Sequence, residues 1–192
     1  MPEEGLWMTF FTPEEVLRKL ELPASGDVVD FGCGYGTFTI PAAQITNGLV
    51  HALDVEPGMV AATRAKADRL GLRNVRMHLR DFVAEGAGLP DGCAGYAMLF
   101  NILHAECPEV LLREAWRVVA PGGKLGIIHW NYDPTKPRGP SMDIRPRPDQ
   151  CRRWAEGVGF QFVGQVDLPP YHWGMTLVRP CCGAVGVPEP LR

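Results

Sequence analysis

The chain lacks several things that would have settled its class at once. No apolar run approaches membrane-spanning length, and the first residues, MPEEGLWMTFF, are acidic where a secretory leader would be basic and then apolar. A cytoplasmic protein with no membrane partner is the expectation. The six cysteines, at 33, 93, 107, 151, 181 and 182, include no C-x-x-C pair, so neither a zinc site nor a disulfide framework is suggested. Positive charge is also in short supply: 19 Lys and Arg against 22 Asp and Glu give a formal net charge of -3, which argues against a surface built for nucleic-acid phosphates. There is no internal repeat.

What is present is a length and balance suited to one globular domain. The chain has 192 residues, 46% of them hydrophobic and 21% charged, enough for a substantial core but not for two full domains. The expected division is an N-terminal helical region over 1–26, a core over 27–179 and a tail over 180–192.

The order of local signals is strand, helix, strand, helix. Thr12-Pro13-Glu14-Glu15 reads as a helix start, with Thr12 as cap, Pro13 in the first turn and Glu15 completing a capping box. Val28-Val29-Asp30-Phe31 is a short apolar run that breaks into Gly32-Cys33-Gly34-Tyr35-Gly36. Pro41 suits the first turn of the next helix, because deeper inside it would remove a hydrogen bond. A second strand over 49–54 leads into a helix that starts at Glu56-Pro57 and that Gly71 can end in a left-handed cap.

From 75 to 80, apolar Val75, Met77 and Leu79 alternate with Arg76, His78 and Arg80, the pattern of an edge strand. The nearly continuous apolar runs at 96–100 and 125–128 read as central strands. Between them 108–119 is helical by spacing, with Ala120-Pro121-Gly122-Gly123 as a turn into the next strand. The stretch 131–148 reads as a long loop, followed by a helix and then an antiparallel pair of strands over 160–167 and 171–178. Such alternation implies an α/β fold: a mainly parallel, Rossmann-like sheet with helices on both faces, and ligands bound outside the carboxyl ends of the strands.

That rule directs attention to the residues following each strand. The glycine run lets the backbone turn tightly and approach a ligand, and the helix after it presents free N–H groups. Asp54, about twenty residues on, suits the two hydroxyls of a ribose; the alternative is a simple cap on the helix at Glu56-Pro57. Both signals would serve an NAD-dependent oxidoreductase or a non-catalytic cofactor-binding domain as well. Two details separate these. The spacing is G-x-G-x-G, with Thr37 where a dinucleotide fingerprint places its third glycine. Asp30 directly precedes the loop, where a carboxylate would repel a pyrophosphate but attract an ammonium.

With VVDFGCGYGTFTI at 28–40, HALDVEPGMV at 51–60, LRDF at 79–82, FNILHAE at 100–106 and EAWRVVAPGGKLGII at 114–128, the chain resembles the class I S-adenosylmethionine-dependent methyltransferases, especially the group acting on small molecules. The resemblance extends over 28–178. It implies a seven-stranded sheet of order 3-2-1-4-5-7-6 with strand 7 antiparallel, and S-adenosylmethionine as cofactor. It also implies roles: Asp30 for the methionine ammonium, Gly32, Gly34 and Gly36 along the methionyl and ribose region, and Asp54 for the ribose. Asp81 would accept from the adenine amine, Phe82 would contact it through its backbone, and Val55 and Met59 would pack on the ring. Phe100 and Asn101 would hold the amino-acid end. For Asp81 the alternative is a plain turn residue.

Methyl transfer needs positioning more than acid or base, but a hydroxyl acceptor would profit from a base, and His104 is the candidate. The end of the fifth strand, with Trp130, Asn131 and Tyr132, is where such enzymes build an acceptor pocket, and Trp7, Thr9 and Phe10 are expected to cover it. The partner expected is a small-molecule acceptor rather than nucleic acid.

Overall fold

The computed structural model describes residues 12–135 and 139–181. Trp7, Thr9 and Phe10, along with the tail beyond 181, therefore lie outside the described residues.

Among the described residues, seven strands form one sheet: β1 (Val28–Phe31), β2 (Val50–Asp54), β3 (Val75–Leu79), β4 (Ala94–Phe100), β5 (Val119–Trp130), β6 (Gln161–Leu168) and β7 (His172–Val178). Their order is β3-β2-β1-β4-β5-β7-β6, as the resemblance implied. The pairs among β1 to β5 are parallel, and β7 runs antiparallel to both β5 and β6. The alternating run at 75–79 lies at one edge of the sheet, where only one of its two sides is paired. The unbroken apolar runs of β4 and β5 lie inside.

Successive residues of a strand point to opposite faces, and the two cores follow that period. Val29, Leu99 and Ile127 face helices α4 (Pro108–Val118) and α5 (Pro148–Gly157), with Leu111, Leu112, Ala115, Cys151 and Ala155 fully buried. Val28, Met98 and Ile128 face α1 (Pro13–Lys19) and α2 (Thr39–Ile45), through Val16, Leu17, Leu20 and Ala42. The Tyr96 hydroxyl, fully buried, donates to the Leu20 carbonyl at 2.8 Å and fixes the end of α1 to the sheet. Helix α3 (Pro57–Arg69) ends as expected at Gly71, with φ of 67°.

Three local expectations need correction. Thr12 precedes α1 but makes no side-chain cap bond, so no capping box forms; Pro13 at the first helical position sets the start instead. The segment 120–123 is part of β5: Ala94 pairs with Val119 while Tyr96 pairs with Lys124, so the extra residues are absorbed as a bulge rather than a free turn. They stay in the sheet because Gly122 N–H donates to the Arg179 carbonyl and Arg179 N–H to that of Gly123. The loop 131–147 contains a short 3-10 turn, Met142–Ile144.

Candidate functional site: a cofactor and acceptor cavity

The carboxyl ends of β1, β2, β4 and β5 open into one cavity of about 660 Å³. Its wall includes Asp30, Gly32, Gly34, Asp54, Val55, Phe82, Phe100, Asn101, His104 and Trp130, ten of the residues singled out from the sequence. A ligand-sized space of this kind lies in the usual range for small-molecule sites.

The glycine loop is held by side chains from two other elements. Gly34 N–H donates to Asp54 Oδ2 at 2.8 Å, and the Thr63 hydroxyl of α3 donates to the Gly34 carbonyl at 2.8 Å. Gly34 is thus held through both its N–H and its carbonyl. Gly32 sits at φ +74°, a backbone conformation that side chains rarely adopt, and a Cβ there would also press on Ile102 Cδ1 at 2.8 Å. Gly36 lies outside the cavity wall, and its lack of a side chain serves the packing of Thr63, whose atoms a Cβ would meet at 2.8–3.3 Å.

Asp30 is 3% exposed and accepts from the Thr39 hydroxyl at 2.6 Å. Burial raises its pKa from 3.8 to about 7, against the Thr39 bond and with help from the Asp54 charge. No basic side chain among the described residues lines the cavity beside it. A buried carboxylate in that state gains most from a cationic ligand. Asn101 lines the same cavity: its backbone sits at φ 57°, and its buried Oδ1 has no hydrogen-bond partner among the described residues. An acceptor left unsatisfied in the wall of a cavity suits a ligand that brings a donor.

At the β2 end, Asp54 does both things considered for it. Its Oδ1 accepts from Glu56 N–H at 3.0 Å, capping the turn into α3, while the side chain also lines the cavity. Val55 is 51% exposed beside it, an apolar surface open to a planar ring. Phe82 is buried edge-on against Phe31, with ring centroids 5.6 Å apart.

Asp81 is exposed and outside the wall. Its Oδ1 accepts from the N–H groups of Val83 and Ala84, which is the turn alternative. Met59, in the first turn of α3, is likewise outside the wall. Asn131 and Tyr132 do not line the cavity either. The Asn131 carbonyl accepts from Arg145, and Tyr132 faces outward under the Arg147 guanidinium at 4.1 Å.

Away from the glycine loop the cavity is walled by Trp130, Gly139 and Pro140, with Phe38 and Phe100 packed edge to face at 4.7 Å. His104 stands at the exposed rim, with enough wall around its ring to lower its pKa; the neighbouring Asn101 backbone pulls the other way. Its ring meets that of His129 edge-on at 5.7 Å. His129 is fully buried, and burial together with the neighbouring His104 brings its pKa down to about 3. Its Nδ1 accepts from Trp130 N–H at 3.0 Å, which puts the ring proton on Nε2.

Sequence reasoning missed Phe38, Glu56, Gly139, Pro140 and the positioning pair Thr39 and Thr63. The strand-end rule covered 100–104 and with it Ile102, and Glu56, two residues past Asp54, was within its reach. Nothing in the spacing signals Thr39, Thr63, Gly139 or Pro140, which reach the site only because helices and a loop fold back onto it.

A glycine loop after β1, an acidic residue closing β2 and this strand order define the class I methyltransferase fold, whose cofactor is S-adenosylmethionine. Residues 28–123 match the methyltransferase domain family, and the chain belongs to it.

Among curated proteins, it is 39% identical over 116 residues to aklanonic acid methyltransferase from Streptomyces sp. strain C5, and 34% identical over 155 residues to nocamycin O-methyltransferase from Saccharothrix syringae. These matches cover 58% and 77% of this chain and 49% of each relative, so the chain spans about half the length of the curated relatives it matches. A solved structure of an S-adenosylmethionine-dependent methyltransferase from Aquifex aeolicus superposes with a TM-score of 0.81 at 26% identity, covering 90% of this chain and 92% of that one. Among the described residues no helix is long and apolar enough to cross a membrane.

Proposed function

We propose that the chain methylates a hydroxyl of a small, largely apolar molecule, with His104 as general base. The observation that carries this reading is the continuity of the cavity, which runs from the glycine loop and Asp54 to a second end at His104, Trp130 and Pro140. The printed names of the two curated relatives support a small acceptor, and one of them names oxygen as the methylated atom.

S-adenosylmethionine, when bound, would supply an activated methyl group on its sulfonium. Asp30 and the Asn101 Oδ1 would hold the amino-acid end, Asp54 the ribose, and Val55 and Phe82 would flank the base. Asp81 keeps one carboxylate oxygen outside its turn and is assigned no ring contact. The apolar far wall orients the acceptor and excludes water. His104, whose pKa burial lowers, would take the proton of the acceptor hydroxyl as the methyl group leaves the sulfonium sulfur for that oxygen.

The test is a screen with methyl-labelled cofactor across hydroxyl, thiol, amine and acidic-carbon acceptors. Label is expected in apolar hydroxyl compounds, and His104→Gln should lower kcat by about 10²- to 10⁴-fold without changing S-adenosylhomocysteine affinity. Transfer to RNA or protein with none to small acceptors would overturn the small-molecule reading, and an unchanged kcat would remove His104 from the mechanism.

A further inference from the structure

Trp130 meets the cavity from the end of β5, whereas Gly139 and Pro140 meet it from the loop that follows, outside any strand or helix. A wall made of loop has no ladder of main-chain bonds to fix it, so its carbonyls and its distance from the sheet must be held by something else. Arg145 does both. Its Nη1 donates to the Asn131 carbonyl at 2.8 Å, across 14 residues of chain, and its Nη2 donates to the Pro140 carbonyl at 2.7 Å. Asn131 is itself tied to the sheet end, because its N–H donates to the Tyr171 carbonyl at 2.7 Å, one residue before β7. One planar guanidinium thus bridges the strand end and the cavity wall.

Arg145 is 5% exposed, an unusual depth for a cation, and yet it does not itself line the cavity. The residues it touches do. The 3-10 turn Met142–Ile144 brings it there, with the Arg145 N–H donating to the Met142 carbonyl at 3.3 Å. Its guanidinium carbon lies 5.9 Å from the centre of the Trp130 ring. Gly139, at φ +97°, packs so closely that a Cβ would come within 2.7 Å of Trp130 Cδ2 and 2.8 Å of Arg145 Nη2. Loop backbone, indole and guanidinium form one contact, and the space beside Trp130 depends on where Arg145 holds Pro140.

Resting on the reading of this part of the cavity as the acceptor's, we propose that Arg145 is a positioning residue that sets acceptor size, by tying the Gly139-Pro140 wall to the end of β5. Lysine cannot replace it in full, since an ammonium is a point charge without the rigid fork that spans two carbonyls.

The full chain is compared as wild type, Arg145→Lys, Arg145→Met and Arg147→Gln, the last removing an exposed guanidinium that stacks on Tyr132 and so controlling for lost charge. Calorimetry should give all four the same affinity for S-adenosylhomocysteine. In protein carrying 5-fluorotryptophan, the fluorine NMR line of Trp130, assigned through Trp130→Phe, should move in both Arg145 variants while those of Trp116 and Trp154 stay. Gly139→Ala presses on the same contact from the other side and should move the same line, a second route should Arg145→Met not fold. With methyl-labelled cofactor, the ratio of kcat/KM for 2-naphthol to that for the bulkier 2-anthrol should fall about tenfold in the Arg145 variants, a ratio that the folded fraction cannot alter. An unchanged ratio overturns the proposal, as does an equal fall in Arg147→Gln. Wild-type protein that binds S-adenosylhomocysteine, yet neither methylates the two probes nor shifts its Trp130 line when they are added, overturns the acceptor reading itself.

Discussion

Asp30 makes cofactor binding a proton-linked event. Between a pKa of 3.8 and one of about 7 lies roughly 4 kcal/mol of penalty on the ionised form, imposed chiefly by complete burial. A ligand ammonium needs the ionised form. Above pH 7 Asp30 is already charged and affinity is at its plateau. Below pH 7 the ligand must displace a proton, and affinity should fall towards tenfold per pH unit. At pH 7 itself binding should release about half a proton.

Titration calorimetry with S-adenosylhomocysteine in two buffers of different ionisation enthalpy measures that release, and repeating it from pH 8 to 5.5 traces the slope. Asp30→Asn should bind more weakly at pH 8 and show a much flatter profile. The same carboxylate gives the free protein an opposite signature. Its folded pKa exceeds its unfolded one, so its contribution to stability is fully present below 3.8 and is lost as pH rises through about 7. Affinity independent of pH from 5.5 to 8, or proton uptake on binding, would refute the reasoning.

Two further outcomes follow from the geometry. Gly32→Ala forces a side chain into φ +74° and to within 2.8 Å of Ile102 Cδ1, so equilibrium binding should show at least a tenfold loss of S-adenosylhomocysteine affinity, about 1–3 kcal/mol of strain. His129 and His172, fully buried with pKa brought down to about 3 by burial, refuse protons that the unfolded chain accepts near 6.5. Their contribution is present above 6.5 and lost as pH falls towards 3, so denaturant titrations should show stability dropping steeply below pH 6; His129→Phe should make that slope shallower.

The sequence by itself determined the strand and helix order, the edge position of β3, the inward runs of β4 and β5 and the glycine loop with its two flanking aspartates. These are legible because they rest on local rules: side-chain period, φ permission at glycine and the placement of ligands at strand ends. Asp30, Asp54 and Asn101 were singled out for that reason: Asp30 is the penultimate residue of β1, Asp54 the last of β2 and Asn101 the first past β4.

Only the tertiary structure decided how these residues are held and which of them reach the cavity. Thr39 and Thr63 come from helices that fold back over the loop, and their hydroxyls meet Asp30 and Gly34 across 9 and 29 residues of chain. Met59 and Asp81 carried the right chemistry at the right offsets, yet neither lines the cavity, and the N–H groups of Val83 and Ala84 hold one Asp81 oxygen. Thr12 failed as a cap although its sequence signature was complete. Backbone direction past the strand ends, and competition from nearby main-chain donors, decide such positions, and neither is written in residue spacing.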